Sequence, residues 1–499
     1  MRVLLSDVEN QSAAVAASQS EPDIVLGEHP EIPLLMASIP LLLLVVLLSL
    51  NVFIFGDDAV SGSNQVILML SAAITTAIAS LYGVKWQEIE SGITHALKIA
   101  IPAMLILLMV GALSGTWLLS GIIPTMIYYG LHVMDASWFL ASSVIISAIV
   151  AIFTGSSWTT SATIGIALMG IGQVLGISPG LVAGAVISGA YFGDKMSPLS
   201  DTTNLAAATT GTELFTHIRY MMITTIPSVT IALILFTLLG FNAADQNGLG
   251  ADEIAVTLDQ SLNITPWLLL VPLAVLIMIV RKVPALPAIF VGVLLGGIFA
   301  LIFQPDQVAR IGGEGDFALY KGIMTACFGD IAIVTGDTML DDLLTAGGIS
   351  GMLGTIWLII SAMMFGGAME ASGFLHRITT ALMHKAKSVV GLIGTTAGTC
   401  MFSNATTSDQ YLAIVVPGRM FSETYQERGL APQNLSRTLE DTGTVTSVLV
   451  PWNTCGAYHA SVLGVATLSY APFAFFCLIS PFMTMLMAAT QYKLAKKDV

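Results

Sequence analysis

Charge is what this chain has least of. Only 10% of its 499 residues are Asp, Glu, Lys or Arg, against about 25% in a soluble protein. So few charges cannot cover a water-facing surface. The 18 lysines and arginines form no basic stretch of the kind that binds nucleic acid. Cysteine is scarce too. Cys327, Cys400, Cys455 and Cys477 lie far apart, with neither metal-ligand spacing nor a disulfide framework. No phosphate-binding loop, kinase set or HExxH string appears. ATP-driven transport and membrane hydrolysis therefore lack support, and the chain reads as a non-enzyme without a cofactor. Residues 1–32 are polar and acidic and lack the basic start of a signal peptide. They are expected to form a disordered cytoplasmic tail.

What is abundant is apolar sequence. Hydrophobic residues make up 55% of the chain and the mean hydropathy is +0.83. Apolar runs repeat, each near the ~20 residues that a bilayer core requires. The predicted fold is an all-α membrane protein set in lipid, with about ten transmembrane helices plus two re-entrant hairpins. The first half, 33–241, contains a hairpin at 139–177 and an interrupted helix at 181–210. The second half, 265–492, contains a hairpin at 389–420 and an interrupted helix at 436–465. Each hairpin has two short arms around a polar tip. Such backbone is tolerated at membrane depth only inside protein or beside water. The amphipathic stretch Gln87–Lys98 precedes a span, and 304–348 is of mixed polarity.

The net charge of −14 gathers in the tail and around Asp245–Asp259 and Glu314–Asp342. Lys85, Lys98, Arg219, Arg281, Lys282, Arg377 and Lys493 fall on the other side of this layout. The positive-inside bias then makes both termini cytoplasmic, residues 493–499 included, and the loop 242–264 external. Each half has five crossings, an odd number, so the halves sit in opposite orientations. They also echo each other in order. Leu119–Ser120–Gly121 matches Ala371–Ser372–Gly373, Thr159–Thr160–Ser161 matches Thr406–Thr407–Ser408, and Pro198 matches Pro451. Inverted-topology repeats with interrupted segments at corresponding places mark a secondary transporter.

Asp194, Asp201, Asp409, Glu440 and Asp441 lie in or beside polar breaks in apolar sequence. A charge at the bilayer centre costs about 2.5 kcal/mol or more, which favours a functional explanation. The competing reading is that some lie at an interface or pair with neighbours, as Lys195 could with Asp194. A hard cation such as Na+ takes oxygen ligands, and these breaks are rich in them. Asp194 and Asp201 are the predicted Na+-binding acids, with Ser197, Thr202, Asn204, Thr159 and Thr160 as oxygen donors. The matching set in the second half is Asn404, Thr406, Thr407, Asp409, Asp441, Asn453 and Thr454. A carboxylate in a half-dry cavity holds either a proton or a sodium ion, which is the minimal physics of an antiporter. Glu370 and His459 are weaker candidates for a proton relay. His217, His376 and His384 read as interfacial, and Trp158 as packing for its hairpin tip.

The string Gly193–Asp194–Lys195–Met196–Ser197–Pro198–Leu199–Ser200–Asp201–Thr202–Thr203–Asn204, with Gly155–Ser156–Ser157–Trp158–Thr159–Thr160–Ser161, resembles the NhaC-type Na+/H+ antiporter family. Pro451–Trp452–Asn453–Thr454–Cys455–Gly456 and Ser403–Asn404–Ala405–Thr406–Thr407 are similar too. The resemblance implies the ion-transporter superfamily, alternating access, a scaffold and a mobile domain, a homodimer in the cell inner membrane, and a role in pH and sodium homeostasis. It also leaves open an organic-anion exchanger of the malate/lactate type, coupled to Na+ or H+. A channel is the remaining reading.

Overall fold

The computed structural model describes residues 32–55, 59, 62–247, 251–383 and 388–496. The expected N-terminal tail lies almost wholly outside them, as do His384 and 497–499. Backbone amides and carbonyls in lipid need partners within the protein, so long apolar runs become helices. The first half runs α1 (Leu34–Phe55), α2 (Ser63–Leu81), α3 (Trp86–Leu119), α4 (Ile122–Val133) and α5 (Ala136–Thr154). The tip helix α6 (Ser157–Thr160) continues through a π-helical turn, Ser161–Gly165, into α7 (Ile166–Val174). Then come α8 (Pro179–Met196), α9 (Asp201–Thr210) and α10 (Leu214–Asn247).

The second half runs α11 (Ala251–Ser261), α12 (Leu270–Val280), α13 (Ala285–Phe303), α14 (Pro305–Gly312) and α15 (Ala318–Phe328). A small antiparallel ribbon pairs β1 (Ile331–Ala332) with β2 (Thr345–Ala346) around α16 (Thr338–Leu343). There follow α17 (Gly348–Ala371), α18 (Phe374–Met383), α19 (Val389–Thr406), α20 (Leu412–Glu427) and α21 (Gln433–Leu439). A second π-helical turn, Glu440–Thr444, leads to α22 (Val445–Ser447). The chain closes with α23 (Thr454–Leu463), α24 (Thr467–Tyr470) and α25 (Phe475–Thr490).

Among the described residues, seven helices are long and apolar enough to cross a membrane, and up to nine if each of two bent pairs counts as one span. The molecule is thus a helical membrane protein. Several expected boundaries move. The amphipathic stretch at 87–98 is the first three turns of α3, which is 34 residues long. The first hairpin arm, α5, has 19 residues, because its serines do not interrupt it: Ser143 Oγ donates to the Phe139 carbonyl at 2.8 Å, within its own helix. The stretch 242–264 is largely helical. α10 continues to Asn247, and Ile254, Leu258 and Leu262 are buried. Falling hydropathy marks where a chain leaves lipid, not where its helix ends. The mixed region 304–348 folds likewise, burying Val308, Ile331, Ile333, Leu340 and Leu344. Its ribbon is a departure from a purely α fold.

α3 and α17 pack antiparallel, and their glycines set the separation. A Cβ on Gly92 would lie 2.5 Å from the Ala371 Cβ, and one on Gly111 would lie 2.4 Å from the Gly348 carbonyl oxygen. With α1, α2 and α13 they share one apolar core. α8 anchors a second core and is buried on nearly every side. Its Gly189 and Gly193, four residues apart, meet the Val144 and Ala148 carbonyls of α5, the small-residue mode of close packing in membranes. α9, α19, α20 and α21 form a third.

Matching caps recur along the chain. Gly121 and Gly373, with φ of 80° and 73°, follow α3 and α17. Ser156 caps α6 and Asp409 the start of α20, and Ser200 and Asn453 cap α9 and α23. Gly211 and Gly464, with φ of 70° and 67°, end those same two helices. Each pair is about 250 residues apart, a spacing that suits internal repeats.

Gly189→Val should force α5 and α8 apart, since the branched side chain meets backbone that cannot yield. Overpacking of this kind costs about 1–3 kcal/mol. Thermal melting in detergent should show a lower Tm, whereas Gly354→Ala, where a Cβ meets nothing within 4 Å, should leave it unchanged.

Candidate ion-binding site

The break between α8 and α9 is built by Ser197–Pro198–Leu199–Ser200. Pro198 supplies no N–H, so the helix cannot run through. Ser200 restarts it by accepting from Thr203 N at 3.3 Å. Asn204 Nδ2 donates to the Pro198 and Ser200 carbonyls at 3.0 and 2.7 Å, and Ser197 Oγ donates to the Ile152 carbonyl at 2.8 Å. Thr202 is buried, its hydroxyl 3.1 Å from Ser200 Oγ. Asp194, one turn before the break, is buried. Its Oδ2 accepts from Ser157 N at 3.0 Å and Ser157 Oγ at 2.8 Å, and Ser200 lies beside it. Ser157 is the first residue of the tip helix, so the tip and the broken helix meet at this carboxylate. Thr159 and Thr160 are buried just behind. Thr159 N donates to Ser156 Oγ, and Thr160 Oγ1 to the Ser156 carbonyl. Asp201, the first residue of α9, is exposed.

The second half is stitched the same way. Ser408 adopts φ 58°, and Asp409 Oδ1 accepts from Tyr411 N at 2.8 Å and Leu412 N at 3.0 Å. Thr454 lies beside Asp409, and Thr454 N donates to the Ser408 carbonyl at 2.9 Å. Asn453 Nδ2 donates to Asn404 O and Oδ1 at 3.0 and 3.2 Å. Asn404 Nδ2 donates to the Gly443 carbonyl at 2.7 Å and to Thr446 Oγ1 at 3.0 Å. Trp452 Nε1 donates to the Ala405 carbonyl at 2.8 Å. Thr406 and Thr407 bond back to the Phe402 and Ser403 carbonyls of their own helix, each at 2.9 Å.

Around the two breaks the halves touch at several points. Tyr411 lies within electrostatic range of Asp194, Asp201 and Asp409. Trp158 stacks on Tyr458, with ring centroids 4.0 Å apart, and Tyr458 Oη donates to the Trp158 carbonyl at 3.0 Å. Lys195 bonds Asp441. The structure therefore corrects the expected pairing of Lys195 with Asp194: its partner is 246 residues away. Asp441 is held by that ammonium and by Ser480 and Thr484 rather than by Asn404 or Asn453. Glu440 is fully buried, with Lys195, Asp194, Thr444 and Thr202 around it.

His217 is buried, with Nδ1 2.7 Å from Ser436 Oγ. His459 is buried, with Nδ1 2.8 Å from the Cys455 carbonyl. His376 is exposed. Glu370 is half-buried, within range of Asp409 and Arg419. Sequence reasoning overlooked Ser157 as the partner of Asp194, and Gln410, whose Oε1 accepts from Ser447 Oγ at 3.0 Å. The polar residue beside Asp409 was a usable signal for the latter. The two π turns left no trace in the composition.

Asp194 and Asp409, one per half, are thus buried carboxylates that each lie where a capped helix start meets a helix break. The sequence model of the Na+/H+ antiporter family matches residues 189–491, from the end of α8 through α25. The chain belongs to the Na+/H+ antiporter family. It is 41% identical over 413 residues to the Na+/H+ antiporter NhaC of Alkalihalophilus pseudofirmus, covering 82% of this chain and 87% of that one. It is 36% identical to NhaC of Bacillus subtilis, covering 84% and 90%. It is also 36% identical to the malate-2H+/Na+-lactate antiporter of B. subtilis, covering 83% and 87%. The antiporter family match thus spans both halves of the break geometry except the first hairpin, which the longer alignments cover by extent.

Ser157→Ala removes the hydroxyl that orients Asp194 while the amide bond stays. A hydrogen bond to a charged group is worth about 1.5–3 kcal/mol. The apparent sodium affinity in everted vesicles should weaken by about tenfold or more. An unchanged sodium dependence would show that Ser157 does not position the carboxylate.

Proposed function

We propose that this protein is a secondary transporter that exchanges Na+ for H+ across the membrane by alternating access. The observation that carries this is Asp194, buried at a helix break and held there by the tip of a hairpin. Membership of the Na+/H+ antiporter family supports the choice of ions. Asp194 is the principal sodium ligand and Asp409 its counterpart. Ser197, Thr202, Thr159, Thr160, Asn404, Thr406, Thr407, Asn453 and Thr454 shape the two breaks. Asp201 stands at the water side, where it draws cations toward the site. Asn204 acts through the backbone it caps.

The mechanism follows from competition. A proton and a sodium ion neutralise the same carboxylate, so one must leave before the other binds. A carboxylate with neither is costly in this enclosure, so the loaded forms are the ones that move. The fold reading goes with it: two inverted repeats, about ten spans with two hairpins, termini in the cytoplasm and the stretch 242–264 outside. The hairpins and broken helices form the moving unit. The core of α1–α3, α13 and α17 forms the scaffold of a homodimer in the inner membrane.

A second reading is favoured by one relative, the malate-2H+/Na+-lactate antiporter. An anion carrier needs a cation in its cavity. Lys195 is paired with Asp441, and Arg437 Nε stands 4.0 Å from the same acid, so the two buried cations among the described residues both face a carboxylate already. That weighs against a bound carboxylate substrate.

Proteoliposomes with an imposed pH gradient test both readings. Asp194→Asn should lower sodium uptake at least about tenfold, the effect of about 1.4 kcal/mol of lost ion binding. Asp409→Asn should lower it too, and lactate or malate should change nothing. Full exchange by both variants would remove the site assignment. Uptake that requires the anion would establish the second reading.

A further inference from the structure

A second cluster of cation-binding oxygens lies near Asp194, and a side chain already fills it. Lys195 lies on α8 next to Asp194, and its ammonium turns to the other half of the chain. It bonds Asp441 Oδ1 and reaches Ser480 Oγ at 3.4 Å, with the Phe476 ring centroid 5.9 Å away. Ser480 Oγ donates to Asp441 Oδ1 at 3.2 Å, and Thr484 Oγ1 donates to Asp441 Oδ2. Lys195, Asp441, Ser480 and Thr484 are all fully buried. Ser480 and Thr484 sit four residues apart on α25 and so share a face. Pro481 lies between them and has no N–H, which leaves the Cys477 carbonyl without its helical donor. Cys477 is itself within electrostatic range of Lys195.

A buried carboxylate and two hydroxyls are oxygen donors of the kind a hard cation takes. We infer that the Lys195 ammonium is a tethered cation that occupies a second sodium site made by Asp441, Ser480 and Thr484. The inference rests on the sodium reading above for the identity of the ion. Asp441 needs a counter-charge at this depth. A tethered ammonium supplies one that cannot be lost to either side, so Asp441 never exchanges its partner and only the Asp194 side turns over. Arg437 does not fill the same role. Its Nε stands 4.0 Å from Asp441 Oδ2, its guanidinium is held 4.6 Å over the Tyr220 ring, and none of its nitrogens makes a hydrogen bond. The lysine thus fixes how many sodium ions the chain takes up.

Equilibrium binding of radioactive sodium to the purified full chain, in alkaline buffer, tests this. Lys195→Met should bind one more sodium per chain than the wild type. Lys195→Arg, which keeps a cation in place, should bind the wild-type amount. Adding Asp441→Asn to Lys195→Met should abolish the extra ion. No gain in Lys195→Met, or a gain that survives Asp441→Asn, overturns the inference. If Lys195→Met is unstable without sodium, its Tm decides: a steeper rise with sodium than the wild type supports the site, and an equal rise overturns it. A wild type that binds no sodium would instead overturn the sodium reading, while the difference between variants would still decide the role of the lysine.

Discussion

Inside a bilayer, every backbone amide and carbonyl must find its partner within the protein. A helix that breaks there exposes donors that a side chain or another backbone carbonyl must satisfy. Four helix starts in this chain meet that demand with Ser156, Ser200, Asp409 and Asn453. Asp194 and Asp409 are buried beside these capped starts. The polar tips and the polar breaks therefore depend on each other, through Ser157 on Asp194 in one half and Asn453 on Asn404 in the other.

The charges follow from this frame. A buried ion pair adds little to stability, because desolvation offsets most of its attraction. Its presence calls for another reason. The Lys195–Asp441 pair joins the end of α8 to the π turn that follows α21. It ties the two broken segments into one unit, and the stacking of Trp158 on Tyr458 ties the first tip to α23. The α3–α17 contact is set by glycines against backbone.

Much of this was legible in the sequence. The strings around Pro198 and Pro451 marked the breaks, and the hydroxyl-rich strings hold the helix starts at Ser156 and Asp409. The matched Ser–Gly pairs at 120–121 and 372–373 are helix ends in the structure. What sequence could not provide was pairing at a distance. Asn204 and Ser197 have good ligand chemistry, yet both spend their side chains on nearby backbone. Lys195 has an acid next to it and bonds another 246 residues away. His217 follows polar residues and is nonetheless enclosed, because Ser436 of the opposite half receives it. Helix continuity was misjudged at α3 and α10 for one reason. Hydropathy reports the surroundings of a helix, and a helix can pass from lipid to water without ending.

In the proposed mechanism, sodium and protons compete for the same carboxylates. Sodium titrated into the purified protein by calorimetry, in two buffers of different ionisation enthalpy, tests it most directly. Binding linked to proton loss must be reciprocal. The account predicts heats that differ between the buffers by an amount that reports proton release, and a difference that vanishes in Asp194→Asn. Equal heats in both buffers, at a pH where exchange runs, would contradict it.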